Sequence, residues 1–164
     1  MKILIVRIIS LLLSILMAVL IFSLSADTAE ESGNLSEEIT EKVLSTVGID
    51  KESTPVEEYK KTALKVEFSI RKLAHFSEYF LFGLFLCIFF RTFDKKLWMT
   101  LLFTLGIAVP YAALDEWHQA FVPGRGPAVW DVMIDSSGAL GGALLALLGW
   151  YLIDRFMKKR SIHS

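Results

Sequence analysis

The chain has 164 residues, of which 54% are hydrophobic, and its 17 Lys and Arg residues nearly balance 18 Asp and Glu residues. The length suits one domain, and the hydrophobic fraction is high for a soluble protein. The balanced charge and the lack of a basic stripe with interleaved aromatic residues argue against a nucleic-acid partner. A single cysteine, Cys87, excludes an internal disulfide and a cysteine-based zinc cage.

Four apolar segments approach the roughly 20 residues that a membrane-spanning helix needs. We predict spans at about residues 3–24, 73–90, 97–114 and 134–153. The predicted fold class is all-α: a four-span transmembrane helical bundle with a helical extracytoplasmic segment, about residues 34–70, between spans one and two. We predict one membrane domain over residues 1–164. The first segment has some features of a cleaved signal peptide, but its apolar centre exceeds the usual length of about 7–15 residues, which favours a retained anchor.

The distribution of Lys and Arg predicts the orientation, because cytoplasmic loops are enriched in these residues. Basic residues precede span one, connect spans two and three, and follow span four: Lys2, Arg7, Arg91, Lys95, Lys96, Arg155, Lys158, Lys159 and Arg160. Segment 26–72 instead has eleven Asp and Glu against seven Lys and Arg, and connection 115–133 has only Arg125 as a basic residue. We therefore predict a multi-pass cell-membrane protein with both termini in the cytoplasm.

The segment between spans one and two contains signals for two helices. Asn34 is a candidate cap and Gly48 a stop for the first helix. Its predicted apolar stripe comprises Leu35, Ile39, Val43 and Val47. A capping box begins at Thr54, with Pro55 at the first helical position, and it predicts the start of the second helix. No Gly or Pro follows until after Phe82, so we predict one helix that continues into span two.

This outer segment has two interpretations. A buried edge is predicted on the second helix, formed by Val56, Tyr59, Ala63, Val66 and Ile70. The segment is either an interfacial lid over the polar face of the bundle or a solvated hairpin packed on it. In span four, Gly138, Gly142 and Ala146 form a row of small residues that predicts close helix packing.

Ionisable side chains lie within or at the ends of the predicted spans, although placing each in or against the bilayer costs about 2.5–3.5 kcal/mol on insertion scales. The predicted topology places them at one membrane face. His75 and Glu78 share a helix face, as do Asp115 and Gln119, and a turn rich in Pro and Gly positions Arg125. The predicted ligand-binding residues are His75, Glu78, Asp115, Gln119, Arg125 and Asp131.

These positions carry a resemblance to the VanZ family, named for a small bacterial membrane protein linked to teicoplanin resistance. The matching blocks are His75-Phe76-x-Glu78-Tyr79, Asp115-Glu116-x-His118-Gln119-x-Phe121-Val122-Pro123-Gly124-Arg125 and Asp131-Val132-x-x-Asp135-x-x-Gly138. The resemblance leads us to expect Asn at position 135, and the presence of Asp135 weakens any role transferred to this residue. The resemblance implies an integral membrane protein of the bacterial envelope that lowers glycopeptide sensitivity, and it supplies no reaction.

Several interpretations of the polar residues remain open. In a structural network, Arg125 pairs with Asp131 or Asp115, and His75 orients Glu78. In a ligand site, the positively charged side chains bind the phosphate of a lipid-linked cell-wall precursor. Alternatively, the same site binds the glycopeptide itself. A membrane enzyme acting on a lipid-linked envelope substrate, or a proton-coupled transporter, would use the carboxylates and imidazole for proton transfer.

A metal ion belongs to the enzyme interpretation only. His75, Glu78, Asp115, His118 and Asp131 have suitable donor atoms. However, the two histidines lie on different helices and outside any known ligand spacing. The sequence therefore predicts no metal, no cofactor and no assigned catalytic residue. The bilayer is the predicted environment, and the other partners remain hypotheses.

Overall fold

The computed structural model describes residues 2–162 as five α-helices. They are α1 (Lys2–Ser25), α2 (Ala29–Thr46), α3 (Val56–Arg91), α4 (Leu97–Gln119) and α5 (Val129–Ile162). Helices α1, α3, α4 and α5 are long and apolar enough to cross a membrane, which confirms the all-α, four-span prediction. The side chains at 2, 29–31, 35, 158 and 160–162 are not described. Those of Lys2, Leu35, Lys158 and Arg160, used in the predictions of topology and of the apolar stripe, are among them.

The four apolar helices alternate in direction. Arg7, near the start of α1, donates hydrogen bonds to the hydroxyl and carbonyl oxygens of Thr92, just after α3, at 3.0 and 2.9 Å. At the opposite end of the bundle, Ser25 closes α1 and donates a hydrogen bond of 2.9 Å to Asp115, near the end of α4. We call this second end, where α5 also begins, the site end.

Helices α3 and α5 pack so closely that backbone atoms of α3 lie against glycines of α5. A Cβ atom at Gly138 would overlap the carbonyl oxygen of Phe76, and one at Gly142 would overlap that of Phe80. Because lipid tails are as apolar as the side chains, helices associate in a bilayer largely through close van der Waals packing. The row of small residues therefore determines how near α3 and α5 come to each other.

The outward faces of these four helices are apolar. Leu12 of α1, Leu102 of α4 and Leu148 of α5 are each more than half exposed in the isolated chain. In a soluble protein such exposure would favour aggregation, whereas in a bilayer it provides the lipid-facing surface. The described helices therefore have the surface chemistry of a membrane bundle.

Helix α3 unites the second predicted outer helix with span two. Its 36 residues extend about 54 Å, well beyond the roughly 30 Å of hydrocarbon in a bilayer. The first part of α3 consequently projects beyond the bundle and packs against α2. Pro55 precedes α3 in a non-helical conformation with ψ of 134°. Thr54 therefore does not occupy the N-cap position that the predicted capping box requires, and this detail of the prediction was wrong.

Helix α2 begins earlier than Asn34, the predicted cap. The helix starts at Ala29, directly after Thr28. Thr28 and Glu31 have the Thr-x-x-Glu spacing of a capping box, so an equivalent start signal lies six residues before Asn34. Gly48, the predicted stop, lies just beyond the helix with a φ of 78°, a conformation that glycine adopts without strain.

The buried face of α2 also differs from the predicted stripe. Among the described side chains of α2, the buried ones are Ser36, Thr40 and Leu44. The described stripe residues Ile39, Val43 and Val47 are instead 40%, 42% and 65% exposed. Small hydroxyl side chains allow α2 to approach α3, and the Ser36 hydroxyl donates to the Ser32 carbonyl oxygen at 3.0 Å within its own helix. On α3, Tyr59 of the predicted edge is buried, but Val56 is 63% exposed.

Candidate functional site

Three helices bring His75, Asp115 and Asp135 together at the site end. One donor atom from each of these side chains lies within 4.8 Å of the others, and we call this group the central cluster. The separation between His75 Nδ1 and Asp135 Oδ1 is 3.9 Å. Gly138, one turn after Asp135, lies against the backbone of Phe76, the residue after His75. The close packing of α3 and α5 therefore places the imidazole beside the carboxylate.

Both carboxylates of the central cluster are buried, Asp115 at 4% exposure and Asp135 at 0%. One oxygen of Asp115, Oδ2, accepts hydrogen bonds from Ser25 and from Gln119, at 2.9 and 3.3 Å. The i to i+4 pairing of Asp115 and Gln119 is the shared helix face that the sequence predicts. Ser25 was not predicted, because a serine at the end of an apolar segment carries no motif of its own.

Five buried polar atoms around the central cluster have no hydrogen-bond partner among the described residues. They are Asp115 Oδ1, both carboxylate oxygens of Asp135, His75 Nδ1 and the Tyr79 hydroxyl oxygen. The Tyr79 side chain is fully buried and its hydroxyl faces Asp115 without meeting hydrogen-bond geometry. Unpaired polar groups in a low-dielectric interior are costly, so these atoms call for a further partner.

An ion pair between Lys72 and Asp131 joins α3 to α5 beside the central cluster. The two side chains are 22% and 21% exposed, so water screens the pair only in part. Lys72 precedes His75 by one helical turn and thus shares its face. Because Lys72 reaches Asp131, this carboxylate already has a cationic partner that the sequence analysis did not assign.

Arg125 makes neither of the ion pairs expected in the structural network. It pairs with no carboxylate of the side chains that the structure describes, and its Nη2 atom donates to the carbonyl oxygen of Leu24 at 3.5 Å. The loop that carries Arg125 turns at Gly124, with a φ of 77°, and its end is held by a 2.9 Å hydrogen bond from the Ala128 amide to Glu116. This loop directs Arg125 towards the end of α1. The expected structural network also had His75 orient Glu78, whereas in the structure His75 lies next to Asp135 in the central cluster.

Two cavities of about 160 and 200 Å³ open at the site end. Ser32, Arg71, His75 and Arg125 line both cavities, so the two cavities adjoin, and we call them together the basic cleft. Of the other predicted site residues, Glu78 lines the first cavity, Gln119 and Asp131 line the second, and Asp115 belongs to the central cluster. All six predicted residues therefore meet at one end of the bundle. Whether they bind a ligand stays a prediction.

Two further residues at the site end were not among the predicted ligand-binding residues. Sequence reasoning missed Arg71 and discounted Asp135. Arg71 lines both cavities, but it falls among many charged residues of a solvated helix and has no distinguishing spacing. Asp135 follows Asp131 by four residues, which does place both on one helix face. Its role was discounted because Asn is expected there from the resemblance. A larger groove of about 630 Å³ lies between α2 and α3 and shares no lining residue with the basic cleft.

The comparison with known families identifies the chain. A family model described as VanZ/LLP1 matches residues 10–151, a range that includes α3 and α4, the three polar blocks and the whole basic cleft. The chain belongs to the VanZ/LLP1 family. Together with the four apolar helices, this membership makes the chain a VanZ/LLP1 membrane protein, and it confirms the resemblance carried by the polar blocks. No curated protein and no solved structure matches the chain.

Proposed function

We propose that this VanZ/LLP1 protein binds the anionic head group of a lipid-linked cell-envelope component in the basic cleft, on the outer face of the bacterial cell membrane, with both termini in the cytoplasm. The observation that carries the proposal is Arg125. Its guanidinium lines both cavities and pairs with no carboxylate of the described side chains. Such a group retains donors for the bidentate hydrogen bonds with which arginine recognises phosphate.

Two further cations lie beside Arg125. Arg71 lines both cavities, and among the described side chains its nearest carboxylate oxygen, on Glu67, is 3.9 Å away, a long separation for an ion pair. Lys72 lines the second cavity but is already paired with Asp131. The cleft thus offers two guanidinium groups to an anion, while Glu78 and Asp131 supply acceptors for amide or sugar hydroxyl donors.

The size of the cleft favours a head group over a whole glycopeptide. Each cavity is below the roughly 300–1,000 Å³ typical of sites that enclose a drug-sized ligand. A phosphate or pyrophosphate group with part of a sugar suits such a volume, and the acyl chain of a lipid would remain in the bilayer. The exposed Ile39 and Val43 of α2, with Val47 directly after it, would lie in the membrane interface, and α2 would cover the head group as a lid.

Lowered sensitivity to a glycopeptide such as teicoplanin is the physiological consequence that we attach to this binding. A protein that holds the head group of a lipid-linked precursor competes with an antibiotic that recognises the same precursor. This link rests on the property that the VanZ resemblance implies. Deletion and complementation tests against teicoplanin and vancomycin would examine it, with Arg125→Gln and Glu78→Gln produced at wild-type protein levels.

The binding step is testable with purified protein. Wild type and Arg125→Gln are reconstituted in nanodiscs and titrated with a fluorescent lipid-linked cell-wall precursor. A charge-assisted hydrogen bond contributes about 1.5–3 kcal/mol, so Arg125→Gln should weaken binding about 10- to 100-fold. Arg155→Gln is the matched control, since Arg155 is an exposed arginine near the opposite end of α5. Equal and weak binding by all three proteins would refute the proposal.

A second candidate is a membrane enzyme that acts on the same lipid-linked substrate. It is favoured by His75, which lines both cavities and also belongs to the central cluster, so that buried acid and base groups adjoin the head-group space. Incubation of wild type with the labelled precursor, followed by chromatography of the products, distinguishes the candidates. Turnover that is lost in His75→Gln would favour the enzyme, and unchanged precursor would favour binding alone.

A further inference from the structure

We propose that His75, Asp115 and Asp135 bind a divalent transition-metal ion, Zn²⁺ or Mn²⁺, at the inner end of the basic cleft. This inference goes beyond head-group binding and does not depend on it. The three residues come from α3, α4 and α5, so the metal would join three helices of the bundle. Their separation along the chain explains why no ligand spacing is visible in the sequence.

The geometry of the central cluster suits such an ion. Metal–ligand bonds of about 2.0–2.2 Å place three ligand atoms of one ion about 3.3–3.8 Å from one another. The three donor atoms already lie within 4.8 Å of one another, and His75 Nδ1 is 3.9 Å from Asp135 Oδ1. The donor atoms therefore need to approach one another by up to about 1–1.5 Å, which rotation about the side-chain bonds provides.

The charge of the central cluster also calls for a cation. Asp115 and Asp135 are almost completely buried, and buried carboxylates persist when they are paired or coordinate a metal. The neighbouring cations are directed elsewhere, since Lys72 pairs with Asp131 and Arg125 donates to a backbone carbonyl of α1. A divalent ion would balance both carboxylates at once.

The unpartnered atoms distinguish a metal from a shared proton. Asp135 is fully buried, and neither of its oxygens has a hydrogen-bond partner in the described structure. Asp115 Oδ1 and His75 Nδ1 are likewise unpartnered. One proton between the two carboxylates would join a single pair of oxygens. One metal ion would bind an oxygen from each carboxylate together with the imidazole nitrogen.

The surroundings of Asp115 are those of a supported metal ligand. Ser25 and Gln119 both donate to its Oδ2 atom, whereas Oδ1 has no geometric hydrogen-bond partner among the described residues. Hydrogen-bonded partners of this kind orient metal ligands and raise metal affinity. Mixed imidazole and carboxylate donors suit Zn²⁺ and Mn²⁺. Three protein ligands would leave a coordination position open, as in sites that exchange a bound water or substrate.

Metal analysis of purified protein tests this inference. The protein is prepared in detergent without a polyhistidine tag, stripped with chelator, reloaded with ZnCl₂ or MnCl₂, dialysed and analysed by mass spectrometry. We expect wild type to retain one ion per chain, and Asp135→Asn and His75→Gln to bind it at least about 10-fold more weakly. Glu116→Gln is the control, because Glu116 is a buried carboxylate adjacent to Asp115 but outside the central cluster, and this variant should retain the ion.

Two measurements on wild type keep the test decisive if a variant fails to fold. Added Co²⁺ should give a visible absorption band that Zn²⁺ displaces. Infrared spectra should show no protonated carboxylic acid that is assignable to Asp135. A wild-type protein that holds no ion, or Asp135→Asn and His75→Gln proteins that hold it as wild type does, would overturn the proposal. A protonated acid signal in metal-loaded protein would overturn it in favour of a shared proton.

Discussion

The contact between α3 and α5 makes substitution of Gly142 by alanine a sensitive test of the packing. A Cβ atom at this position would lie 2.8 Å from the backbone nitrogen of Leu84 and still closer to the carbonyl oxygen of Phe80. Ordinary contacts begin near 3.4 Å. Because the opposing atoms belong to the backbone, no side-chain rotation relieves the overlap, and the contact with the Phe80 carbonyl oxygen requires the two helices to separate by about 1 Å or more.

The cost follows from the dispersion energy of the interface. A gap of about 1 Å forfeits about half of each atom-pair attraction, which is about 0.1–0.2 kcal/mol. If about 40 pairs are affected, as many as one buried leucine makes, the loss is about 2–4 kcal/mol. Alanine also favours the helix over glycine by up to about 1 kcal/mol. The control Gly149→Ala, on the same helix with nothing within 4 Å of its Cβ position, carries this second effect alone.

The difference between the two variants therefore isolates the packing. We expect the free energy of unfolding of Gly142→Ala to be about 3 kcal/mol below that of Gly149→Ala, the middle of the range above. Titration with sodium dodecyl sulfate in mixed micelles, followed by far-ultraviolet circular dichroism, measures both values. Equal stability of the two variants would show that α3 and α5 do not pack through Gly142. The close packing of these helices would then no longer explain why His75 lies beside Asp135.

Three other predictions concern the Lys72–Asp131 ion pair, the Tyr111 hydroxyl and the retention of α1. Lys72→Met and Asp131→Asn should each lower the free energy of unfolding by about 1–3 kcal/mol, because each change leaves a partly buried charge unpaired. The double variant leaves neither charge, so its loss should be smaller than the sum of the two single losses. Tyr111→Phe should cost about 1 kcal/mol, since its hydroxyl donates a 2.6 Å hydrogen bond to a backbone carbonyl of α1. Helix α1 should be retained in the mature protein, because it contributes Ile21 to the buried core, and intact-mass analysis of protein from membranes would show it.

Each of these predictions has a clear contrary result. Strictly additive losses for Lys72 and Asp131 would mean that the pair does not form in the membrane. Full stability of Tyr111→Phe would mean that water or another acceptor replaces the bond to α1. A mature mass that lacks the residues up to Ala26 would identify α1 as a signal peptide and remove the Ser25 hydroxyl from Asp115.

The spans and the gathering of the polar residues were predictable because both depend on local chemistry. Runs of apolar residues report membrane helices directly, and the alternation of helix direction places the end of α4 beside the start of α5 whatever the details of packing. Individual partners were not predictable. Lys72, not Arg125, reaches Asp131, because that choice depends on distances of a few ångströms between helices that are remote in sequence.

The buried face of α2 illustrates a second limit. Ile39 and Val43 recur at helical spacing, and in a soluble protein that pattern would indicate the core. In the structure these residues are exposed, and Ser36 and Thr40 face inward. An apolar stripe can contact either protein or lipid, and periodicity alone does not distinguish the two environments. The small hydroxyl residues marked the protein-facing side, since they permit a closer approach between helices.

The uninterrupted course of α3 has a mechanical consequence. About 28 Å of regular helix separate Val56 at its tip from His75, with no glycine, proline or loop between them. This stretch is a stiff, continuous helix. If it tilts by about 10°, its tip moves by about 5 Å and the His75 imidazole turns with it. Asp115 and Asp135 are anchored in other helices. A force applied to α2 and the tip of α3 would therefore change the spacing between the imidazole and the two carboxylates without any intervening hinge.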